Sequence, residues 1–179
     1  MGYKICERCI MDTSDPDIEF DAEGICNHCN RQIQWKNSEM NFSQKNKELK
    51  IVTDKIKIAG KNSNYDCLIG LSGGVDSSYV AYYVVKVLGL RPLAVHLDNG
   101  WNSEISVQNI KNTIDKLNID LFTHVINWNE FKNMQRSFIK SGVVDIELLT
   151  DNAIMGVLFG QAKKHKIKYL ITGMNRATE

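Results

Sequence analysis

The sequence predicts a doubly wound α/β domain with a mostly parallel sheet, preceded by a small metal-binding module. Three observations carry that expectation. Short apolar runs alternate with segments of helical periodicity. A glycine-serine loop joins the first run to the helix after it. Two Cys-x-x-C pairs stand within residues 1–30. At 179 residues the chain has room for one ordinary domain and a small appendage. Its 43% hydrophobic and 24% charged residues are the balance of a chain able to bury a core. Lys and Arg (22) nearly cancel Asp and Glu (21), which argues against generic binding to nucleic-acid backbones. The longest apolar stretch, 79–90, is interrupted by Lys86 and is too short for a bilayer. The first residues lack a signal-peptide core, so a cytoplasmic location without membrane contact is expected.

Charge is unevenly spread. Residues 1–30 hold Glu7, Asp12, Asp15, Asp17, Glu19, Asp21 and Glu23 against Lys4 and Arg8, whereas 43–61 hold six lysines against Glu48 and Asp54. Such asymmetry separates units with different jobs, here a module at 1–40, a basic helical connector at 41–62 and a larger domain at 63–179. Within the first, Cys6, Cys9, Cys26 and Cys29 have the spacing of two turns that aim four thiolates at one structural zinc ion. Asp21-Ala22-Glu23-Gly24 is a plausible hairpin turn between them. So few residues cannot bury enough apolar surface to fold alone, and a metal supplies the missing stability. Disulfides fit poorly in a chain without a secretory signal. His28 is read as lying beside the metal or facing solvent, and Cys67 as a small packed hydrophobe.

The remaining elements come in order. Residues 43–60 read as an amphipathic helix with Leu49, Val52, Ile56 and Ala59 on one face. Residues 66–71 form an apolar run suited to a buried parallel strand. The helix 79–88 carries Val80, Val84, Val87 and Leu88 and stops at Gly89. A second strand spans 91–97. The next helix carries Ile105, Val107, Ile110, Ile114 and Leu117. A strand at 121–126, a helix at 128–139, a helix at 151–165 and a strand at 167–171 complete the alternation. Ligands of open α/β sheets bind beyond the carboxyl ends of the strands.

Ser72-Gly73-Gly74-Val75-Asp76-Ser77-Ser78 lies at the first such end. Adjacent glycines let the backbone approach an anion closely. The helix start offers unpaired N–H groups and a positive dipole end, and the serines add donors. This is a phosphate cradle. It is no Walker A loop, because no Gly-Lys-Ser/Thr comes after it, and it lacks the third glycine of a dinucleotide fingerprint. A tight turn with Asp76 as N-cap is the structural alternative. The second strand end, Asp98-Asn99-Gly100-Trp101, serves equally as an ordinary Asn-Gly turn. Glu147 and Asp151 stand just before a helix, either with Thr150 or Asp151 capping it or handling substrate or ammonia.

The loop resembles the PP-loop of ATP pyrophosphatases, and Thr172-Gly173-Met174-Asn175-Arg176-Ala177-Thr178-Glu179 resembles the Gly-Thr-x-Asn-x-Ser/Thr-Glu segment of NAD synthetases. The opening 3–13 with its Cys pair, the second Cys pair, His-Leu-Asp-Asn-Gly-Trp-Asn-Ser at 96–103 and Asn127-Trp128 together resemble the N-acetyl sugar amidotransferases of surface-polysaccharide and pseudaminic-acid pathways. That resemblance implies an ATP-dependent conversion of an acetamido sugar to an acetamidino sugar. Asp76, Ser72 and Ser78 are then catalytic. Gly73, Gly74, Val75, Ser77, His96, Asp98, Asn99, Gly100, Thr172 and Gly173 join them in binding ATP. Asp76 and Glu179 hold Mg²⁺, and Asn175, Glu147 and Asp151 are weaker candidates for substrate. A glutaminase and an ammonia-channelling subunit are the implied partners, and a nucleic-acid partner is not expected. Members of the family continue further, so sugar-binding residues beyond residue 179 are expected. The alternatives are a tRNA-thiolating PP-loop enzyme with an N-terminal zinc module, kept open by the basic helix, and a zinc-ribbon interaction module without catalysis.

Overall fold

The computed structural model describes residues 2–39 and 42–174. The chain divides into two compact units, Met1–Lys50 and Ile51–Glu179. In the first, isolated antiparallel bridges pair Ile5 with Asp12 and Phe20 with Cys26. The anticipated turn between the cysteine pairs is present. Gly24 has φ +80°, and the Asp21 carboxylate accepts N–H groups from Glu23 and Ile25. A helix not anticipated from the sequence, α1 (Asn27–Glu39), starts at the second pair. With only Ile33 and Trp35 as large apolar residues after Cys29, it has no hydrophobic stripe to betray it.

The second unit takes up the latter part of α2 (Phe42–Gly60) and continues with β1 (Cys67–Gly70), α3 (Val75–Tyr82), β2 (Pro92–Asp98), α4 (Glu104–Leu117), β3 (Asp120–Val125), α5 (Trp128–Lys140), α6 (Leu148–His165) and β4 (Leu170–Ile171). The strands form one parallel sheet in the order β3-β2-β1-β4. Side chains of a strand alternate between faces, and here the alternation splits the core in two. Cys67, Ile69, Leu71 and Ala94 pack with Ile56, Ala81, Val84 and Ile110 on one side. Leu68, Leu93 and Val95 pack with Leu158 and Ile167 on the other. Helices therefore cover both faces, as the doubly wound expectation requires. Among the described residues, no helix is long and apolar enough to cross a membrane.

A buried carboxylate fixes where β1 and β2 begin. Asp66, 5% exposed, accepts the Arg91 backbone N–H and the Arg91 guanidinium, while Arg91 Nη2 also donates to the Gly60 carbonyl at the end of α2. Gly60 sits so close to Asp66 that a Cβ there would meet the Asp66 Cα at 2.6 Å.

Several expected elements shift. The face α2 buries holds Thr53, Ile56 and Gly60, while Val52 is exposed and Ala59 likewise. The helix predicted at 79–88 ends in a wide turn over Tyr83–Val87, where the Leu88 N–H reaches the Tyr83 carbonyl five residues back. The added residue rotates the end of the helix by about 100°, leaving Val87 exposed. β3 begins and ends one residue earlier than expected and is an edge strand whose side chains are all exposed or half-buried. β4 is two residues long instead of five. Finally, α6 begins at Leu148, so Thr150 and Asp151 lie inside its first turn and cap nothing. Glu147 holds the N-cap position without a side-chain bond.

Candidate functional site

β1 ends at Gly70, and the Leu71 N–H still pairs with the Val95 carbonyl (2.9 Å) before the chain turns away. Gly73 takes φ +81°, a conformation costly for other residues. It lies so close to α4 that a Cβ would stand 2.9 Å from the Ser106 Cα. The Gly73 carbonyl accepts Asn109 Nδ2 at 3.0 Å. Ser72 and Ser77 brace the loop from within through a 3.0 Å Oγ–Oγ bond and a 3.2 Å bond from the Ser72 N–H to Ser77 Oγ. Gly74 occupies the N-cap of α3, which no side chain caps. Asp76 therefore does not cap the helix, and it stands exposed in the first turn. The first-turn N–H groups of Val75, Asp76 and Ser77 have no carbonyl of their own helix to bind. They are open donors at the carboxyl edge of the sheet, an arrangement suited to an anion.

The second strand end is tied to this loop through His96. The sequence expectation places His96 on ATP, but the residue is only 8% exposed. Its Nδ1 lies 2.9 Å from the Leu71 carbonyl, which can only accept, so Nδ1 carries the proton. Nε2 then accepts from Asn102 Nδ2 (3.1 Å), whose other proton goes to Asp98 Oδ1 (3.0 Å). Both ring nitrogens are engaged, so His96 joins the residue before the loop to the turn after β2. Asp98 Oδ1 also accepts the Gly100 N–H, and Asn99 Oδ1 accepts the Trp101 N–H.

β4 brings the third strand end alongside. Its register, Ile69 opposite Ile171, carries Thr172 and Gly173 level with the start of the loop. A Cβ on Gly173 would lie 3.5 Å from the Asp76 carbonyl. Asn175 and Glu179 lie outside the described residues. Glu147 and Asp151 sit at the start of α6 and line neither cavity beside the loop.

Two cavities flank the loop. One, of about 490 Å³, lies between Ser72, Gly73 and Gly74 and the segment holding Asn99, Trp101, Asn102 and Ser106. The other, of about 520 Å³, is bounded by Gly74, Ser78 and Tyr79 and by Asn109, Thr113 and Lys116 of α4. Sequence reasoning missed Asn102, Ser106 and Asn109. The signal for Ser106 and Asn109 was a polar stripe, with Thr113, at helical spacing beside the apolar stripe Ile110, Ile114 and Leu117; Asn102, in the turn before α4, had none.

In the first unit, the sulfurs of Cys6, Cys9, Cys26 and Cys29 all lie within 4.8 Å of one another. Cys9–Cys26 is 3.7 Å and Cys6–Cys29 4.0 Å. A tetrahedral ion with metal–sulfur bonds of about 2.3 Å separates its sulfurs by about 3.8 Å, so the donor set fits a single metal ion. Backbone N–H groups of Arg8 and Cys26 point at Cys6 Sγ. Burial pushes the Cys6 thiol up, but the N–H groups of Arg8, Cys26 and Cys9 outweigh it and bring it down to about 6. Cys29 is pushed up to about 12 by its neighbour Cys9 and by burial. Thiolates this close repel one another, and a cation removes the conflict. His28 stays outside the cage, bonded to Asp15 at 2.8 Å. Cys67 is buried in the sheet, where burial pushes its thiol up to about 12.

Residues 44–179 match a family model described as NAD synthase. Over 81 residues the chain is 38% identical to the glutamine-hydrolyzing GMP synthase of Thermosipho melanesiensis, covering 44% of this chain and 16% of that one. Over 126 residues it is 29% identical to the corresponding protein of Wigglesworthia glossinidia brevipalpis, covering 66% and 22%. The solved NH3-dependent NAD synthetase from Campylobacter jejuni, in complex with a nitrate ion, shares the fold with a TM-score of 0.52 and 22% identity, covering 74% of this chain and 57% of that one. The chain thus spans less than a quarter of the length of these curated relatives and just over half of the solved one.

Proposed function

This chain belongs to the NAD synthase family, and on that premise we propose that it is a PP-loop ligase that consumes ATP and forms AMP. The loop 72–78 receives the β- and γ-phosphates on the N–H groups at the start of α3, with Ser72 and Ser78 as further donors. Asp76 and Glu179 would hold Mg²⁺, which would supply neutralising charge to the phosphate oxygens. Thr172 and Gly173 close the phosphate site, and the Asp98-Asn99-Gly100 turn borders the nucleotide. The observation that carries this reading is the uncapped start of α3, beside a glycine in the left-handed region at the carboxyl edge of a parallel sheet.

The acceptor is the acetamido group of an N-acetylated sugar. Its support is the likeness of residues 3–13 and 96–103 to the N-acetyl sugar amidotransferases. The acetamido oxygen attacks the α-phosphorus, the α–β phosphoanhydride bond breaks and pyrophosphate leaves. Ammonia then adds to the activated carbon, a proton is lost, and AMP departs with the original oxygen to leave an amidine. Adenylation is needed because an amide oxygen is otherwise a poor leaving group, and holding the reactants in line supplies the proximity contribution to the rate. Ammonia comes from a partner glutaminase through a channelling subunit, and the reaction takes place in the cytoplasm.

Zinc is the ion the cysteine cage suits, since thiolates arranged as a closed tetrahedron leave no open position and make the site structural. On this reading residues 1–40 are a zinc module, 41–62 a helical connector and 63–179 the PP-loop domain. A second reading, thiolation of tRNA, draws on the exposed lysines of α2, Lys47, Lys50, Lys55 and Lys57 among them. The full chain, given ATP, Mg²⁺ and ammonium, is assayed for pyrophosphate with N-acetylglucosamine and its nucleotide-linked form, then with tRNA. Release dependent on the sugar supports the first reading, release dependent on tRNA the second, and no release with either overturns both.

A further inference from the structure

Trp101 is a large apolar side chain that is 65% exposed and yet held in place from three directions. Its Nε1–H donates to Gln135 Oε1 at 3.3 Å. Its ring meets Trp128 edge-on, with centroids 5.6 Å apart and planes at 78°. Its backbone N–H is taken by Asn99 Oδ1 at 3.1 Å. The support behind it is itself anchored. Trp128 lies 6.4 Å from the ring of Phe131, which is 3% exposed. Trp128 also packs so tightly on Gly100 that a Cβ there would stand 2.9 Å from its Cε3.

The indole therefore presents exposed surface in a fixed orientation, inside the 490 Å³ cavity that Ser72, Gly73 and Gly74 also line. A free surface aromatic would gain nothing from such bracing. A ligand gains a great deal, because the ordering cost is met before it arrives. The group that complements an immobilised indole is a ring with a flat face, stacked on it by dispersion and the hydrophobic effect.

We propose that Trp101 is a stacking platform for a ring of a substrate bound beside the phosphate loop, and so a specificity-determining residue. The ring is a pyranose of the acceptor or the purine of the nucleotide; the chemistry is the same and the experiment separates the sources. The inference rests on reading 72–78 as a phosphate cradle. Calorimetry on the full chain compares three probes in the presence of Mg²⁺: tripolyphosphate, which has no ring, α,β-methylene-ATP and N-acetylglucosamine. Trp101→Ala is expected to weaken one ring-bearing probe roughly 5- to 150-fold while tripolyphosphate binds as before. Trp101→Phe, which keeps a ring, should recover most of the loss, and Gln135→Ala, which frees the indole, should reproduce part of it. The probe that weakens names the source. If both ring-bearing probes bind Trp101→Ala as they bind the native chain, or neither binds the native chain, the platform is overturned. If the native chain binds the sugar, Trp101→Ala weakens that binding, and neither tripolyphosphate nor the nucleotide binds, the cradle fails while the platform stands. Thermal unfolding of each variant guards against mistaking a misfolded chain for a lost contact.

Discussion

The two glycines of the loop separate conformational necessity from ligand access. Gly73 has φ +81°, and placing a side chain in that region costs about 1–2 kcal/mol. Its Cβ would also run into Ser106, with the Cα of that residue only 2.9 Å away. That neighbour is the backbone of α4 and cannot rotate aside, which adds about 1–3 kcal/mol of overpacking. Gly73→Ala should therefore lose about 2–5 kcal/mol, or about 4–20 °C in Tm for a chain of this size. Gly74 differs in every respect that matters. Its φ is −75°, and an added Cβ would meet only Ser72 Oγ at an ordinary 3.5 Å. Gly74→Ala should stay within about 1 kcal/mol of the native chain, since the loss of a good N-cap is offset by a stiffer unfolded chain. Gly74 lines both cavities beside the loop, so an added methyl group there should lower nucleotide affinity although stability does not fall. Differential scanning calorimetry with titration of a non-hydrolysable ATP analogue reads both effects. The reasoning is refuted if Gly73→Ala unfolds within 1 °C of the native chain, or if Gly74→Ala is the less stable of the two.

The His96 link should behave as two buried hydrogen bonds. His96→Leu leaves the Leu71 carbonyl and an Asn102 proton unpartnered and should cost about 2–4 kcal/mol. His96→Asn, able to keep a donor near Leu71, should lose about half as much in urea denaturation. Asp66 is a carboxylate whose burial raises its pKa but whose bonds to Arg91 outweigh that and hold it below the ordinary value. Its contribution is present above the unfolded value near pH 4 and is lost as pH falls through the lower folded value. Asp66→Asn should thus be less stable than the native chain from pH 7 down to about 5, with the gap closing in still more acidic buffer. A gap that widens with acid would show the sign to be wrong. Cys26→Ser should abolish stoichiometric metal measured by elemental analysis and, like a chelator, remove helical signal from residues 2–39 while the sheet unit keeps its own transition.

The parts of this protein that could be read in advance are those encoded by neighbours in the chain. Periodicity located the strands β1 and β2 and the helices α4 and α5 to within a residue or two, because each buries one stripe or face. The loop motif located the uncapped start of α3. What misled the reading was burial supplied from elsewhere. The position of β3 at the sheet edge, which leaves it mostly exposed, has no local pattern to announce it. α2 turns Thr53 inward and Val52 outward, because the sheet and Gly60 dictate its rotation.

By itself the amino-acid order determined the alternation of elements, the glycines where the backbone must bend sharply, and the four sulfurs spaced for one ion. Each depends on geometry within a few bonds of a residue. Only the tertiary structure decided that Asn109 grips Gly73 across 36 residues and that His96 spends both nitrogens inside the protein, one of them on Leu71 25 residues away. It also decided that Trp101 is pinned by Gln135 across 34 residues. Those partners are chosen by strand register and by the path of the crossover helices, which bring distant residues together without any local pattern to announce it.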